Sequence, residues 1–187
     1  TAKVFTGWGY FSNLTNPNFR TARPDHINPM MLYPSFHEPG QKTIINNLVI
    51  PANLGGTEDL KRTLDALFNH ENTGPFICRQ LIQRLVTDNP SPGYVYRVAR
   101  KFVNNGSGVR GDLAAVVRAI LTDYEARSPA AAAVPGYGKL KEPLLRYTAL
   151  LRSFGATTPS GRNNVINAYN SLYQAPQKSP SVFNFFE

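Results

Sequence analysis

Residues 35–44 read SFHEPGQKTI and bring a histidine, a glutamate and a lysine within a six-residue span. An imidazole with a carboxylate to orient it and an ammonium beside it is the kind of set that moves protons. Local geometry argues against that use. Glu38-Pro39-Gly40-Gln41 has type II turn chemistry, proline presetting the second position and glycine supplying the positive φ of the third. A β-hairpin is therefore expected, with strands near 32–37 and 42–50. Pairing Glu38 with Gln41 sets His37 opposite Lys42, and neighbours on a strand point to opposite faces, so His37 and Glu38 do not form a dyad. What remains is a polar, cationic His37–Lys42 pair on one face, or a solvent-facing hairpin tip.

Other chemistry is thinly represented. Cys78 is the only cysteine, which excludes an internal disulfide and any cysteine-rich zinc or iron–sulfur site. It lies in the apolar-periodic run GPFICRQLIQRLV and reads as a buried, inert thiol. His26 and His70 stand at no ligand-pair spacing, so no metal is expected. DNPSPGYVYRVA puts Gly93 at the sixth place after Asp88, but prolines replace acidic ligands and Ala99 stands where a calcium loop needs glutamate. No cofactor motif is present, and no cofactor is expected.

Charge is more informative. The chain carries a formal net charge of +8 with an isoelectric point near 9.8, which favours an anionic partner. Arg97, Arg100 and Lys101 fall at helical spacing, and Arg79, Arg84, Arg110 and Arg118 extend a basic face. A nucleic-acid protein of this size would show denser clusters or a recognisable reading module, and neither is there. An acidic polysaccharide or cell-surface polymer suits the same charge. Trp8, Tyr10, Phe11, Tyr33 and Phe36 offer stacking surfaces for sugar rings, or else make a satellite core under the loops.

The elements that must hold these groups are mostly helical. With 187 residues, 42% of them hydrophobic and 17% charged, the chain suits one domain spanning 1–187 with a single core. From Thr57 the apolar period is 3.6. Thr57 is expected to cap a helix with Leu60, Leu64, Leu67 and Phe68 inward. A second helix starts near Pro75 and buries Phe76, Ile77, Leu81 and Leu85. Ser91-Pro92 opens a third, with Val95, Val98 and Phe102 inside, ending at Asn104-Asn105-Gly106. Asp112 opens a fourth, with Leu113, Val116, Val117, Ile120 and Leu121. Short connections make 57–127 a helical unit of antiparallel neighbours. After a Pro/Ala linker come KLKEPLLRYTALLRSF, whose Pro143 suits a first turn, and GRNNVINAYNSLY. Val182, Phe183, Phe185 and Phe186 in the tail are expected to pack on the body. Residues 1–56 are loop-rich. The fold class is mainly α, an antiparallel helical bundle-like domain with a small β-hairpin. No run of eighteen apolar residues forms a membrane span.

VFTGW at 4–8, FHEPGQKTI at 36–44, the helical stretch 57–102, GDLAAVVRAIL at 111–121 and SPSVFNFF at 179–186 occur in one order along the chain. Together they resemble the bacterial domain-of-unknown-function family numbered eighteen hundred. Its pattern falls here on Thr6, Gly7, Trp8, His37, Glu38, Gly40, Lys42, Arg79, Arg84, Asp88 and Pro90, with glutamate at 38 where the family more often has aspartate. The resemblance implies a longer parent of which this is the C-terminal part, as the start at Thr1 also suggests, and the rest of that chain is then a partner. It implies a bacterial protein that is exported, hence extracellular, periplasmic or in the cell envelope. It supplies no reaction and no catalytic residue.

The leading expectation is a module that binds an anionic or glycan polymer, with Trp8, His37, Glu38, Lys42, Arg79, Arg84, Arg97 and Arg100 as candidate contacts. Its rivals are an enzyme built around His37, Glu38 and Lys42, and an assembly protein that multimerises through its tail.

Overall fold

A computed structural model describes residues 2–14, 25, 27–161 and 168–174. The chain is mainly helical. Two short strand pairs precede the helices: β1 (Trp8–Gly9) lies antiparallel to β2 (Met31–Leu32), and β3 (Lys42–Thr43) to β4 (Val49–Ile50). The helices are α1 (Gly56–Asn69), α2 (Thr73–Leu85), α3 (Pro92–Val103), α4 (Leu113–Thr122), α5 (Tyr124–Arg127), α6 (Pro129–Ala132), α7 (Pro143–Ser153) and α8 (Ala168–Leu172). None of the described helices is long and apolar enough to cross a membrane. Contacts group residues 1–79 with 95–116 in one compact unit, and 80–94 with 117–187 in a second.

The expected hairpin of 32–37 on 42–50 does not form. Pro34 cannot donate to a ladder, and its fixed φ instead opens a 3₁₀ turn at Pro34–Phe36. Met31–Leu32 pairs with Trp8–Gly9 instead. The true hairpin is β3–β4, with Trp8↔Leu32 and Lys42↔Ile50 as the registers of the two pairs. Asn46 and Asn47 reverse it, both at positive φ (55° and 57°), the backbone that a tight hairpin turn requires and asparagine tolerates.

Helix α1 also turns a different face inward. Gly56, Asp59 and Thr63 are its buried residues, with Ala66 packed beside them, whereas Leu64 is 51% exposed. Positions 56, 59, 63 and 66 are a proper helical stripe, but its members are small or polar. They let the loops come close: Val4, Ile44 and Ile50 form an apolar cluster against Ala66, and the Ala2–Phe5 turn sits on α1. Each of those three burials contributes roughly 2 kcal/mol. A Cβ on Gly56 would stand 2.6 Å from Leu32 Cδ1 and 3.0 Å from His37 Nδ1, so a larger residue there requires the Leu32 side chain to shift.

The remaining helices follow their start signals more closely than their expected faces. Ser91 Oγ accepts the Tyr94 N–H and Asp112 Oδ1 the Ala115 N–H, capping α3 and α4 as their sequences predict. Pro143 stands in the first turn of α7. Helix α1 begins at Gly56 rather than being capped by Thr57, and α2 begins at Thr73, two residues before Pro75. Val98, Phe102, Val116 and Ile120 are buried as expected, together with Cys78, Ile82 and Tyr94. Phe76, Leu85, Leu113 and Leu121 are about half exposed. Burial raises the Cys78 thiol to about 11, which fits an inert role. Of the expected helix at 161–173, the part Ala168–Leu172 is helical as α8, while residues 162–167 lie outside the described residues, as does the whole apolar tail.

The end of α1 is closed from a distance in sequence. Arg110 donates from Nε and Nη2 to the Phe68 carbonyl (3.1 and 3.0 Å) and from Nη2 to that of His70 (3.2 Å). Its guanidinium also lies 5.6 Å from the Phe68 ring centre and 5.1 Å from that of Phe102. A cation at the negative end of the helix dipole thus binds the last-turn carbonyls and stacks on the aromatics beneath. Arg110→Ala should destabilise the chain by about 2 kcal/mol in denaturant unfolding, and Arg110→Lys should recover less than half of that loss.

Candidate functional site

The site grows from the buried stripe of α1. Asp59 is 1% exposed, and the loops supply two cations to its Oδ2 atom. Lys42 Nζ lies at 2.5 Å and His37 Nε2 at 3.0 Å. Lys42, also buried, donates besides to the carbonyls of Glu38 (2.5 Å) and Gly40 (3.0 Å). An ammonium has three N–H donors and all three are used. Lys42 therefore closes the 38–42 turn and fastens it to α1, with no proton or lone pair to offer a substrate.

His37 is committed in the same way. Its Nδ1 lies 2.9 Å from the carbonyl oxygen of Thr6, which can only accept, so Nδ1 carries a proton. Its Nε2 faces a carboxylate oxygen, which also accepts. The ring state that satisfies both contacts is the imidazolium, with Asp59 ionised between two cations. Burial opposes ionisation of Asp59, but hydrogen bonds and charge from Lys42 and His37 outweigh it and hold the carboxyl below its ordinary value. Asp59 Oδ1 and Trp8 Nε1 are buried with no hydrogen-bond partner among the described residues.

Thr6 and Gly7 make the loop geometry possible. Thr6 Oγ1 donates to the Lys3 carbonyl (2.8 Å) and accepts the Glu38 N–H (2.9 Å). Gly7, at φ +79°, gives its carbonyl to the Tyr33 N–H at 2.7 Å, and a Cβ there would lie 2.9 Å from His37 N. Glu38 takes no part in the charge cluster. Its Oε1 accepts the Gly40 N–H at 3.1 Å, stiffening the turn. His37 and Lys42 do share a site, as their types suggested, though they reach it by converging on Asp59 rather than by facing each other across a hairpin.

The other candidates disperse. Arg84 pairs with Glu142 (3.1 Å), whose second oxygen accepts from Gln174 Nε2. Near it the Asp88 N–H donates to the Gly138 carbonyl (2.8 Å) and Asp88 Oδ2 accepts the Leu140 N–H (3.1 Å), so this stretch holds 138–142 in place. Arg79 is exposed on α2. Arg97 and Arg100 lie on α3, where with Lys101 and Tyr96 they line a groove of ≈ 760 Å³. Of the aromatic set, Tyr33 is buried with its hydroxyl on the Tyr10 carbonyl, so its ring is not a stacking surface, while Tyr10, Phe11 and Phe36 remain exposed.

Asp59 escaped the sequence analysis. Near the start of α1 it reads as one of two acids that favour the helix dipole. The available signal was its place between Gly56 and Thr63, on a stripe of small residues, while Glu58 and Arg62 form an exposed pair one residue aside.

These buried contacts link the parts of one signature, Thr6-Gly7-Trp8 and His37-Glu38-x-Gly40-x-Lys42, to the helix that follows. The chain belongs to the family described as "Protein of unknown function (DUF1800)", which matches residues 1–187. No curated protein matches it, and no solved structure does.

Asp59→Asn should cost about 3–5 kcal/mol at neutral pH, since it leaves two buried cations without their counter-charge. The depressed Asp59 value fixes the sign of the pH dependence: the carboxylate's contribution is complete above the unfolded value and is lost as pH falls through the lower folded one. The stability gap between the native chain and Asp59→Asn should therefore shrink below about pH 4, as measured by urea midpoints across pH.

Proposed function

We propose that the chain binds an anionic or glycan polymer at the bacterial surface, outside the cytoplasm, through the basic groove on α3. The observation that carries this is the clustering of Arg97, Arg100 and Lys101 along one groove beside Tyr96, whose side chain is largely exposed. Among the described residues Glu71 is the one acid lining the groove, against Arg97, Arg100 and Lys101. Guanidinium groups donate paired N–H bonds to carboxylate or sulfate oxygens, and an exposed tyrosine offers a sugar ring a flat partner. The chain's net charge of +8 would attract such a polymer from a distance.

No observation favours the enzyme alternative at His37, Glu38 and Lys42. The lysine's three donors and both imidazole nitrogens are committed to protein acceptors, and Glu38 stiffens a turn. Assembly through the apolar tail concerns residues outside those described.

On a column of immobilised acidic polysaccharide, the native chain should be retained at low salt and released as ionic strength rises. Arg97→Ala/Arg100→Ala removes two surface contacts worth about 0.5–1 kcal/mol each, for roughly five- to thirtyfold weaker binding. Equal retention of native and variant chains on every polymer in a panel would remove the proposal.

A further inference from the structure

The groove along α3 offers more than positive charge. Tyr96, Arg100 and Val103 stand at positions i, i+4 and i+7 of the helix and so share one line, with Lys101 and Asn104 on the line next to it. Glu71, from the turn before α2, and Pro75, from the first turn of α2, belong to the same lining. Its volume of ≈ 760 Å³ falls within the roughly 300–1,000 Å³ of sites that hold a small ligand. A short run of units fits there.

The lining combines carbon surface with unengaged polar groups. Tyr96 is 63% exposed and Val103 about half, and Pro75 adds to the apolar part. Among the described residues no hydrogen bond or ion pair engages the side chains of Arg100, Lys101 or Glu71. Asn104 is oriented by its own loop: its Oδ1 accepts the Gly106 and Gly108 N–H groups at 2.8 and 3.0 Å, which leaves its Nδ2 donors as the available end.

A ligand that matches this set carries an anion for Arg100 and Lys101, a donor for Glu71, an acceptor for Asn104, and carbon faces for Tyr96 and Val103. Polyphosphate supplies anions and acceptors only, so it is repelled by Glu71 and sets no carbon surface against the tyrosine. A neutral glycan has hydroxyls and ring faces but nothing for the two cations. Sulfation adds charge by using up the hydroxyl donors that Glu71 needs. A uronic-acid chain has every part, since each ring carries a carboxylate, free hydroxyls and C–H faces.

We infer that the groove binds a polyuronate, a glycan of carboxylated hexose units, an assignment that rests on the reading of this groove as a polymer site and names the polymer class. The test is titration calorimetry of the full chain at low salt with hexagalacturonate, maltohexaose and a short linear polyphosphate. Hexagalacturonate should bind roughly tenfold or more tightly than either of the others. Tyr96→Ala alters a largely exposed ring and should weaken hexagalacturonate binding about fivefold, with Tyr96→Phe keeping the native affinity, while polyphosphate binding changes by less than about twofold in both. Glu71→Gln should narrow the preference, because it removes a repulsion that polyphosphate has no hydroxyl to offset. Polyphosphate or maltohexaose binding as tightly as hexagalacturonate, or hexagalacturonate affinity unmoved by Tyr96→Ala, would overturn the assignment. A chain that is retained on other acidic polymers without binding hexagalacturonate loses the polyuronate assignment alone, and one that binds none of them loses the polymer reading as well.

Discussion

One carboxylate under the N-terminal loops sets the terms for the first unit. Asp59 sits where the small face of α1 meets residues 6–8 and 37–42, and a charge in that position needs counter-charge and hydrogen bonds at hand. Lys42 and His37 provide both. In doing so they fix the 38–42 turn through the Glu38 and Gly40 carbonyls and the entry of the chain through that of Thr6. A buried pair of this kind adds little net stability over an apolar replacement of the same shape, yet losing one member is severe. Its effect is to allow one arrangement of the loops on the helix and to penalise others. The apolar cluster of Val4, Ile44 and Ile50 supplies the attraction, and the charges supply the register.

That division bears on function. The groups with the most conspicuous chemistry are spent on architecture, and the same holds in the second unit, where Arg84 and Asp88 secure 138–142. The surface proposed to meet a polymer lies elsewhere in the first unit, in the cationic groove of α3.

Helix positions were legible because their start signals are local. Ser91, Asp112 and Pro143 each act within a turn of their own position, and the helices begin beside them. The inward faces were less legible, since hydrophobicity alone picks Leu64 over Thr63, while close approach selects the smaller residue. The hairpin was misplaced for a similar reason. Pro39-Gly40 is a strong turn signal, but Pro34 forbids one of the arms, and the Asn46-Asn47 turn that does join two strands carries no glycine. His37 and Lys42 were recognisable as a pair from their types alone. Their partner was not, because Asp59 is seventeen residues beyond Lys42 and a helix-start acid already has a sufficient local explanation.

The protonation of His37 is the most direct measure of whether Asp59 organises this region. In ¹⁵N NMR of the ring, the two acceptor contacts predict that both nitrogens donate, with Nε2–H coupled across its hydrogen bond to the carboxylate. The Asp59→Asn chain should lose that signature. A neutral ring with one bare nitrogen in the native chain, unchanged by Asp59→Asn, would mean that the carboxylate and imidazole are not joined, and the account of the first unit would be wrong.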